Sequence, residues 1–363
     1  MRIGIIGAGQ LGQMLGFAAA ELGDQCRFID PALSPPAAAV GDVLQAAFDD
    51  PDALAELAAK SDVVTYEFEN VPVVALESIA DRVPVYPPPD ALRHAQDRLA
   101  EKRLFDQLGI PLPRYHAIDS VADLEAAAAD IGLPLVVKTR RLGYDGKGQA
   151  LLRQHPSAGA VIQQLGPVGL IAEQWVGFDY EVSAIGARNV KGDVVVYPLT
   201  ENRHADGILR QSRAPVDAPR LAALAETYIS ALLVHLDYVG VLALELFVVG
   251  EQLLANEFAP RVHNSGHWTI EGATASQFAN HIRAITGREL VAPELRGHAG
   301  MVNLIGAMPA ADGLPTPGCL HDYGKAPRAG RKLGHITVVA DSAVHRDRDL
   351  AEIFDFVTES TVH

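Results

Sequence analysis

Two glutamates in apolar surroundings are the first residues that suggest chemistry. Glu245 interrupts the run Val241-Leu242-Ala243-Leu244-Glu245-Leu246-Phe247, and Glu257 lies in the run Leu253 to Phe258. Both runs read as strands, and a three-residue connection, Gly250 to Gln252, sets the carboxylates opposite one another on one face. Like charges so placed repel unless a cation or a shared proton intervenes. Mg²⁺, a hard ion that prefers oxygen ligands and phosphates, meets that need, with Mn²⁺ as a substitute. A pair of solvent-facing glutamates on a sheet edge is the plainer alternative, and a one-residue register slip would part their faces.

The segment that follows, Pro260-Arg261-Val262-His263-Asn264-Ser265-Gly266-His267-Trp268, gathers a guanidinium, two imidazoles and small hydrogen-bonding side chains. Such a cluster suits an anionic substrate; an ordinary charged loop is the alternative. Upstream, Lys138 ends the apolar strand at Pro134-Leu135-Val136-Val137 and precedes Gly143-Tyr144-Asp145-Gly146-Lys147-Gly148-Gln149. Glycines there free backbone amides to wrap phosphates, and Lys138 and Lys147 add positive charge. The ending of a Walker motif is absent, and Asp-Gly equally marks a hairpin turn. At the N-terminus, Gly7, Gly9 and Gly12 form G-x-G-x-x-G after a strand, with Asp30 about twenty residues on, the spacing of a dinucleotide fingerprint. Alone it suggests an NAD-dependent dehydrogenase, or only a tight strand-to-helix turn.

The elements that must position these residues alternate. Strands at Arg2 to Ile6, Gln25 to Ile29 and Asp62 to Phe68 are separated by helical patterns, including Pro51 to Lys60, which implies a doubly wound parallel sheet. The Pro-rich stretch Val83 to Pro89 reads as a linker. Beyond it come a helix at Asp97 to Leu108 that stops at Gly109, a strand at Leu133 to Thr139, a helix at Val161 to Leu165 and a strand at Gly169 to Trp175. Further strands are expected at Tyr180 to Ala187, Val194 to Pro198, Val241 to Val249 and Leu253 to Phe258, then a helix at Ser276 to Thr286. Pro293 to Gly297 looks like a second connector, and Gly300 to Val339 like a small β-rich cap.

At 363 residues the chain exceeds what one core usually serves. A formal net charge of −15 without a basic stripe argues against nucleic-acid binding. Cys26 and Cys319 stand in no metal or redox spacing, which suits a reducing cytoplasm. The apolar N-terminus is interrupted by Gln10 and Gln13. The stretch Ala231 to Val249 holds His235, Asp237 and Glu245, so no membrane span is expected.

Taken together, GIIGAGQLGQML, YEFENV, DRLAEK, GYDGKGQ, EQWVGFDYEVS, ENRHADGIL, NEFAPRVHNSGHWT and YGKAPRAGRKLGH resemble the ATP-grasp superfamily, and within it the 5-(carboxyamino)imidazole ribonucleotide synthases. The resemblance covers nearly the whole chain. It implies an α/β protein: a Rossmann-like preATP-grasp domain over residues 1–90, an ATP-grasp domain over 91–292 and a C-terminal β-rich, barrel-sandwich-like cap over 293–363. It also implies ATP, bicarbonate and 5-aminoimidazole ribonucleotide as small-molecule substrates, no nucleic-acid or membrane partner, and a cytoplasmic homodimer.

By the same resemblance, Arg98, Lys138 and the loop Gly143, Tyr144, Asp145, Gly146, Lys147, Gly148 and Gln149 meet the ATP phosphates. Adenine lies at Glu173, Gln174, Trp175 and Val176. Glu181 holds the ribose, with His204 near the nucleotide. Glu245 and Glu257 ligate Mg²⁺ beside Asn256, while Ala259 stands where many relatives carry a further asparagine ligand. Arg261 holds bicarbonate and the carboxyphosphate made from it, and His263 is a candidate base. Tyr144, Asp145, Arg261, His263, Asn264 and Ser265 contact the imidazole nucleotide, and Lys325, Arg331 and Lys332 its 5′-phosphate. Glu67 and Glu69 end a strand where such sheets bind ligands, and both stay open as candidates. The glycine turn then shapes a substrate cleft rather than an NAD site.

Three rivals remain: a glycinamide- or formate-using ligase of the same superfamily, a dehydrogenase, and a non-catalytic nucleotide-binding regulator.

Overall fold

The computed structural model describes residues 1–143, 148–154, 157–166, 168–309, 313–315 and 317–360. Among them the strands form three sheets. The first is parallel, β1 (Arg2–Ile6), β2 (Gln25–Asp30), β3 (Gly41–Gln45) and β4 (Val63–Tyr66), in the order β3-β2-β1-β4. Helices α1 (Gln10–Glu21), α2 (Pro51–Lys60) and α3 (Val73–Ala80) connect and cover it, so the continuous apolar runs of β1 and β4 are buried. Asp50 caps α2 by accepting from the amides of Asp52 and Ala53.

The Pro-rich segment is not a free linker. Val85 bridges Val64 in parallel, and the Tyr86 amide donates to the Val64 carbonyl at 2.8 Å. Proline cannot donate to a ladder, but Val85 and Tyr86 among the prolines can still dock on the edge of β4. Helices α4 (Pro89–Ala95) and α5 (Arg98–Gln107) follow, and Gly109 beyond α5 takes φ +66°.

The second sheet, antiparallel, holds β5 (Tyr115–Ile118), β6 (Leu135–Thr139), β7 (Gln149–Leu152) and β8 (Leu170–Gln174) in the order β5-β8-β6-β7. Helices α6 (Val121–Ile131) and α7 (Ala158–Leu165) pack their apolar faces on it.

The third sheet contains β9 (Tyr180–Arg188), β10 (Val194–Val196), β11 (Thr200–Ala205), β12 (Ile208–Ala214), β13 (Gly240–Val249), β14 (Gln252–Ala259), β15 (His298–Ile305), β16 (Cys319–Asp322) and β17 (Lys332–Ala340). Its order is β14-β13-β9-β11-β12-β15-β17-β16, with β10 on β9. The C-terminal strands therefore extend the central sheet through the β12–β15 pairing. Helices α8 (Pro219–His235), α9 (Thr269–Gly272), α10 (Gln277–Ile285) and α11 (Ala343–Ser360) complete the chain, α11 lying over β15 and β17.

One buried imidazole ties the first sheet to the third. His281 on α10 accepts from the Val241 amide through Nδ1 at 3.1 Å, so its Nε2–H donates to Thr65 Oγ1 at 2.9 Å. Burial pushes His281 down to about 3, which keeps the ring neutral and lets one nitrogen accept while the other donates.

Candidate active site

Glu245 and Glu257 are direct cross-strand partners, but not by way of a three-residue connection. The turn is two residues, Gly250 and Glu251, because Val249 pairs with Gln252. Continued regularly, that register would put Asn256 opposite Glu245. The ladder instead shifts between Leu246↔Ala255 and Glu245↔Glu257, and Asn256 is the extra residue of a bulge.

Helix α5 holds that bulge. Lys102 donates to the Asn256 carbonyl, and the Phe258 amide donates to Glu101 Oε1 at 2.7 Å, so both residues flanking Glu257 are fastened. Glu101 and Lys102 are 2% and 1% exposed. Lys102 also lies 3.6 Å from Glu173 Oε2, which Lys138 approaches to 3.1 Å. Burial works against the charge on Glu173, but the two lysines hold it down at about 2. Arg98 stands 3.7 Å from Glu257. Enclosure by the protein and the neighbouring Glu245 charge both raise Glu257, while His263 and the surrounding cations outweigh burial and lower Glu245. Two opposed carboxylates that resist joint ionisation form a donor set suited to a hard divalent cation.

On the other side, Arg261 reaches Glu69 Oε2 at 2.5 Å, and His263 Nε2 lies 3.0 Å from Glu245 Oε1. The Arg261 charge holds Glu69 below the ordinary carboxylate range. A hydrogen-bonded series orients His263 from behind. Ser212 donates to Asn202, Asn202 to Ser183 and Ser183 to Ser265, which leaves the Ser265 hydroxyl hydrogen for His263 Nδ1 at 2.8 Å. The Nε2–H is then directed at Glu245. Ser265 is fully buried in this series and supports His263 rather than facing the cleft, as was expected of it. Asn264 exchanges amide hydrogen bonds with Asn303. Gln277 brackets the backbone of His263, accepting from its amide and donating to its carbonyl.

The two strand-end glutamates separate. Glu69 belongs to the Arg261 cluster, whereas Glu67 lies under the glycine turn and accepts from the Gly9 amide at 2.8 Å. The Ala8 amide donates to Asp30 Oδ2 at 2.8 Å. Protein carboxylates thus occupy amides that a dinucleotide pyrophosphate would need, so the dehydrogenase reading loses its basis. A Cβ on Gly7 would lie 2.8 Å from Glu67, at φ +100°, which explains glycine there. Lys325 donates to Gln10 beside this turn, and burial with the nearby Arg331 lowers it to about 8. Arg331 bonds the Ala326 carbonyl, and Lys332 opens β17.

Glu181 pairs with His204 across β9 and β11. Gln174 is exposed at the end of β8, and Trp175 and Val176 follow it. Gly148 and Gln149 enter β7, which pairs with β6 as a hairpin, and Arg98 donates to the Gly143 carbonyl. Tyr144, Asp145, Gly146 and Lys147 lie outside the described residues.

Sequence reasoning missed Glu101 and Lys102 as site residues, though a signal existed. Both fall on the face of α5 that also carries Phe105, so charged residues stood in a buried stripe.

Family models match residues 1–96 (ribonucleotide synthetase preATP-grasp domain), 103–278 (ATP-grasp domain) and 299–348 (phosphoribosylaminoimidazole carboxylase C-terminal domain). The N5-carboxyaminoimidazole ribonucleotide synthase of Pseudomonas aeruginosa is 49% identical, over 97% of this chain and 98% of its own. That of Brucella melitensis is 46% identical, over 92% and 95%. The crystal structure of the Thermus thermophilus synthetase superposes with TM-score 0.94 at 49% identity, covering 98% of each chain. The Aspergillus clavatus enzyme in complex with ADP and 5-aminoimidazole ribonucleotide gives 0.90 at 30% identity, covering 99% and 98%. This chain belongs to the N5-carboxyaminoimidazole ribonucleotide synthase family of ATP-grasp enzymes.

Proposed function

We propose that this chain uses ATP to join bicarbonate to the exocyclic amine of 5-aminoimidazole ribonucleotide, giving N5-carboxyaminoimidazole ribonucleotide, ADP and phosphate in purine biosynthesis. The observation that carries the reading is the Glu245–Glu257 pair, flanked by Arg98 and Lys138 on one side and by Arg261 and His263 on the other. Three units serve it: 1–90, 91–292 and 293–363.

Bicarbonate is a poor electrophile because hydroxide leaves badly. A bicarbonate oxygen attacks the γ-phosphorus and ADP departs, giving carboxyphosphate. The amine nitrogen then attacks the carboxyl carbon, and phosphate leaves with the bond pair. Arg98 and Lys138 neutralise charge on the transferring phosphoryl group, and the 143–149 segment, in part outside the described residues, is proposed to meet the phosphates. Glu173 to Val176 receive adenine, and Glu181 with His204 the ribose. Arg261, braced by Glu69, presents a planar fork to bicarbonate. His263 is our candidate to take the amine proton; Ser265 holds its hydrogen on Nε2, so acting as base would require the other tautomer, with that hydrogen on Nδ1 and the Ser265 hydroxyl turned to accept it. Asn264, with Tyr144 and Asp145, contacts the imidazole nucleotide, and Lys325, Arg331 and Lys332 hold its 5′-phosphate.

Mg²⁺ would be held by Glu245 and Glu257 near Asn256; when bound, it supplies charge neutralisation to the triphosphate. From family resemblance we further propose a cytoplasmic homodimer.

The test is ADP formation in bicarbonate buffer with and without 5-aminoimidazole ribonucleotide. Strong dependence on that nucleotide, lost in Glu257→Gln, is expected. Turnover with glycinamide ribonucleotide in its place would overturn the assignment.

A further inference from the structure

A second cluster of metal-type donors lies away from the glutamate pair, on the outer strands of the third sheet. A carboxylate oxygen of Glu271, the sulfur of Cys319 and a ring nitrogen of His321 lie within 4.8 Å of one another. Cys319 and His321 are two apart on β16, so their side chains share a face. Their cross-strand partners on β17 are Thr337 and His335, which share that face too. His321 stacks on His335 with ring centroids 4.4 Å apart and planes 6° apart. Glu271 comes from α9 and meets His321 Nε2 at 2.7 Å.

Two atoms on this face are unsatisfied. His335 and Thr337 are 0% and 1% exposed, yet His335 Nε2 and Thr337 Oγ1 find no hydrogen-bond partner among the described residues. Buried orphaned polar atoms are uncommon and point to an absent ligand or water. Glu271 and His321 are only 23% and 25% exposed, while Cys319 opens to solvent, so an ion has a way in.

We propose that Glu271, Cys319 and His321 form a binding site for a borderline-soft divalent transition-metal ion, Zn²⁺ by preference. A thiolate, an imidazole and a carboxylate with one open position are a zinc donor set, and a thiolate selects against Mg²⁺. Binding breaks the Cys319 S–H bond, and the proton goes to solvent while the sulfur pair goes to the metal. His321 gives up its hydrogen bond to Glu271, and the ion replaces it as the shared partner. The waters completing the shell satisfy His335 and Thr337. His335 also lies 4.9 Å from His267, whose ring contacts Gln277, the residue that brackets His263. The ion therefore adds to the stability of this packing and takes no part in the chemistry.

The test is a Co²⁺ titration of the full chain in excess Mg²⁺, which occupies carboxylate sites but not thiolates. One equivalent of Co²⁺ should produce a thiolate-to-cobalt charge-transfer band in the near ultraviolet. Zn²⁺ should abolish it and raise the Tm. Cys319→Ser should lose the band and keep ATP turnover, whereas Cys26→Ala should keep both. Because Cys319 is on an exposed edge strand, its serine variant folds even if His321→Ala does not. No band in the wild type, or a band that survives in Cys319→Ser, overturns the proposal.

Discussion

Replacing Lys102 with methionine removes a cation that is 1% exposed while keeping most of the side-chain volume. Three contacts go with it: the approach to Glu173 at 3.6 Å, the hydrogen bond to the Asn256 carbonyl and the position over the Phe105 ring, 5.9 Å from its centroid. Breaking one partner of a buried ion pair costs about 3–5 kcal/mol. Glu173 keeps Lys138 at 3.1 Å, so the lower end applies, and about 3 kcal/mol lowers Tm by several degrees. Lys138 must then neutralise Glu173 alone and is drawn away from the triphosphate. The bulge carbonyl is released as well, which frees Glu257 from its place opposite Glu245. A charge-assisted hydrogen bond is worth roughly 1.5–3 kcal/mol, so KM for MgATP should rise about 10- to 100-fold. The cleft around Lys325 is untouched, and KM for 5-aminoimidazole ribonucleotide should stay the same. Steady-state kinetics varying each substrate in turn separates the two. An unchanged KM for MgATP with an unchanged Tm would refute the clamp. Equal rises in both KM values would refute its confinement to the nucleotide side.

Other outcomes follow from the same geometry. Lys325→Met should raise KM for the imidazole nucleotide and leave that for MgATP unchanged. The Lys325 side chain is a cation below about 8 and neutral above, so kcat/KM for the imidazole nucleotide should fall as pH climbs past 8. In Lys325→Met that alkaline fall should vanish. Arg261→Lys cannot keep a planar fork on both Glu69 and an oxyanion, and kcat should drop about 10- to 100-fold. Gly7→Ala places a Cβ 2.8 Å from Glu67 at φ +100°, so thermal unfolding should show a loss of about 1–3 kcal/mol.

Much of the site was legible because its residues carry local signals. A glutamate inside an apolar strand is conspicuous, and the opposition of Glu245 and Glu257 is present, though through a two-residue turn and a bulge instead of a three-residue turn. The bulge is a tertiary effect: Glu101 and Lys102, over 150 residues away, hold Phe258 and Asn256. No local pattern around position 256 encodes that. The glycine turn was ambiguous for a similar reason, since only the fold brings Glu67 and Asp30 onto its amides. Sequence analysis assigned no helix to 121–131, 219–235 or 343–360, although Ser120 and Pro219 mark two of the starts. Cys319 stood in no metal spacing along the chain; its neighbours Glu271 and His321 meet it only through strand pairing and packing.

The position of the divalent ion in the nucleotide complex tests the Glu245–Glu257 assignment most directly. Crystals soaked with Mn²⁺ and a non-hydrolysable ATP analogue give that position directly from anomalous scattering. The expected peak lies between the carboxylates of Glu245 and Glu257, bridging them to phosphate oxygens. A peak bound to phosphates with neither carboxylate in its shell would contradict the account.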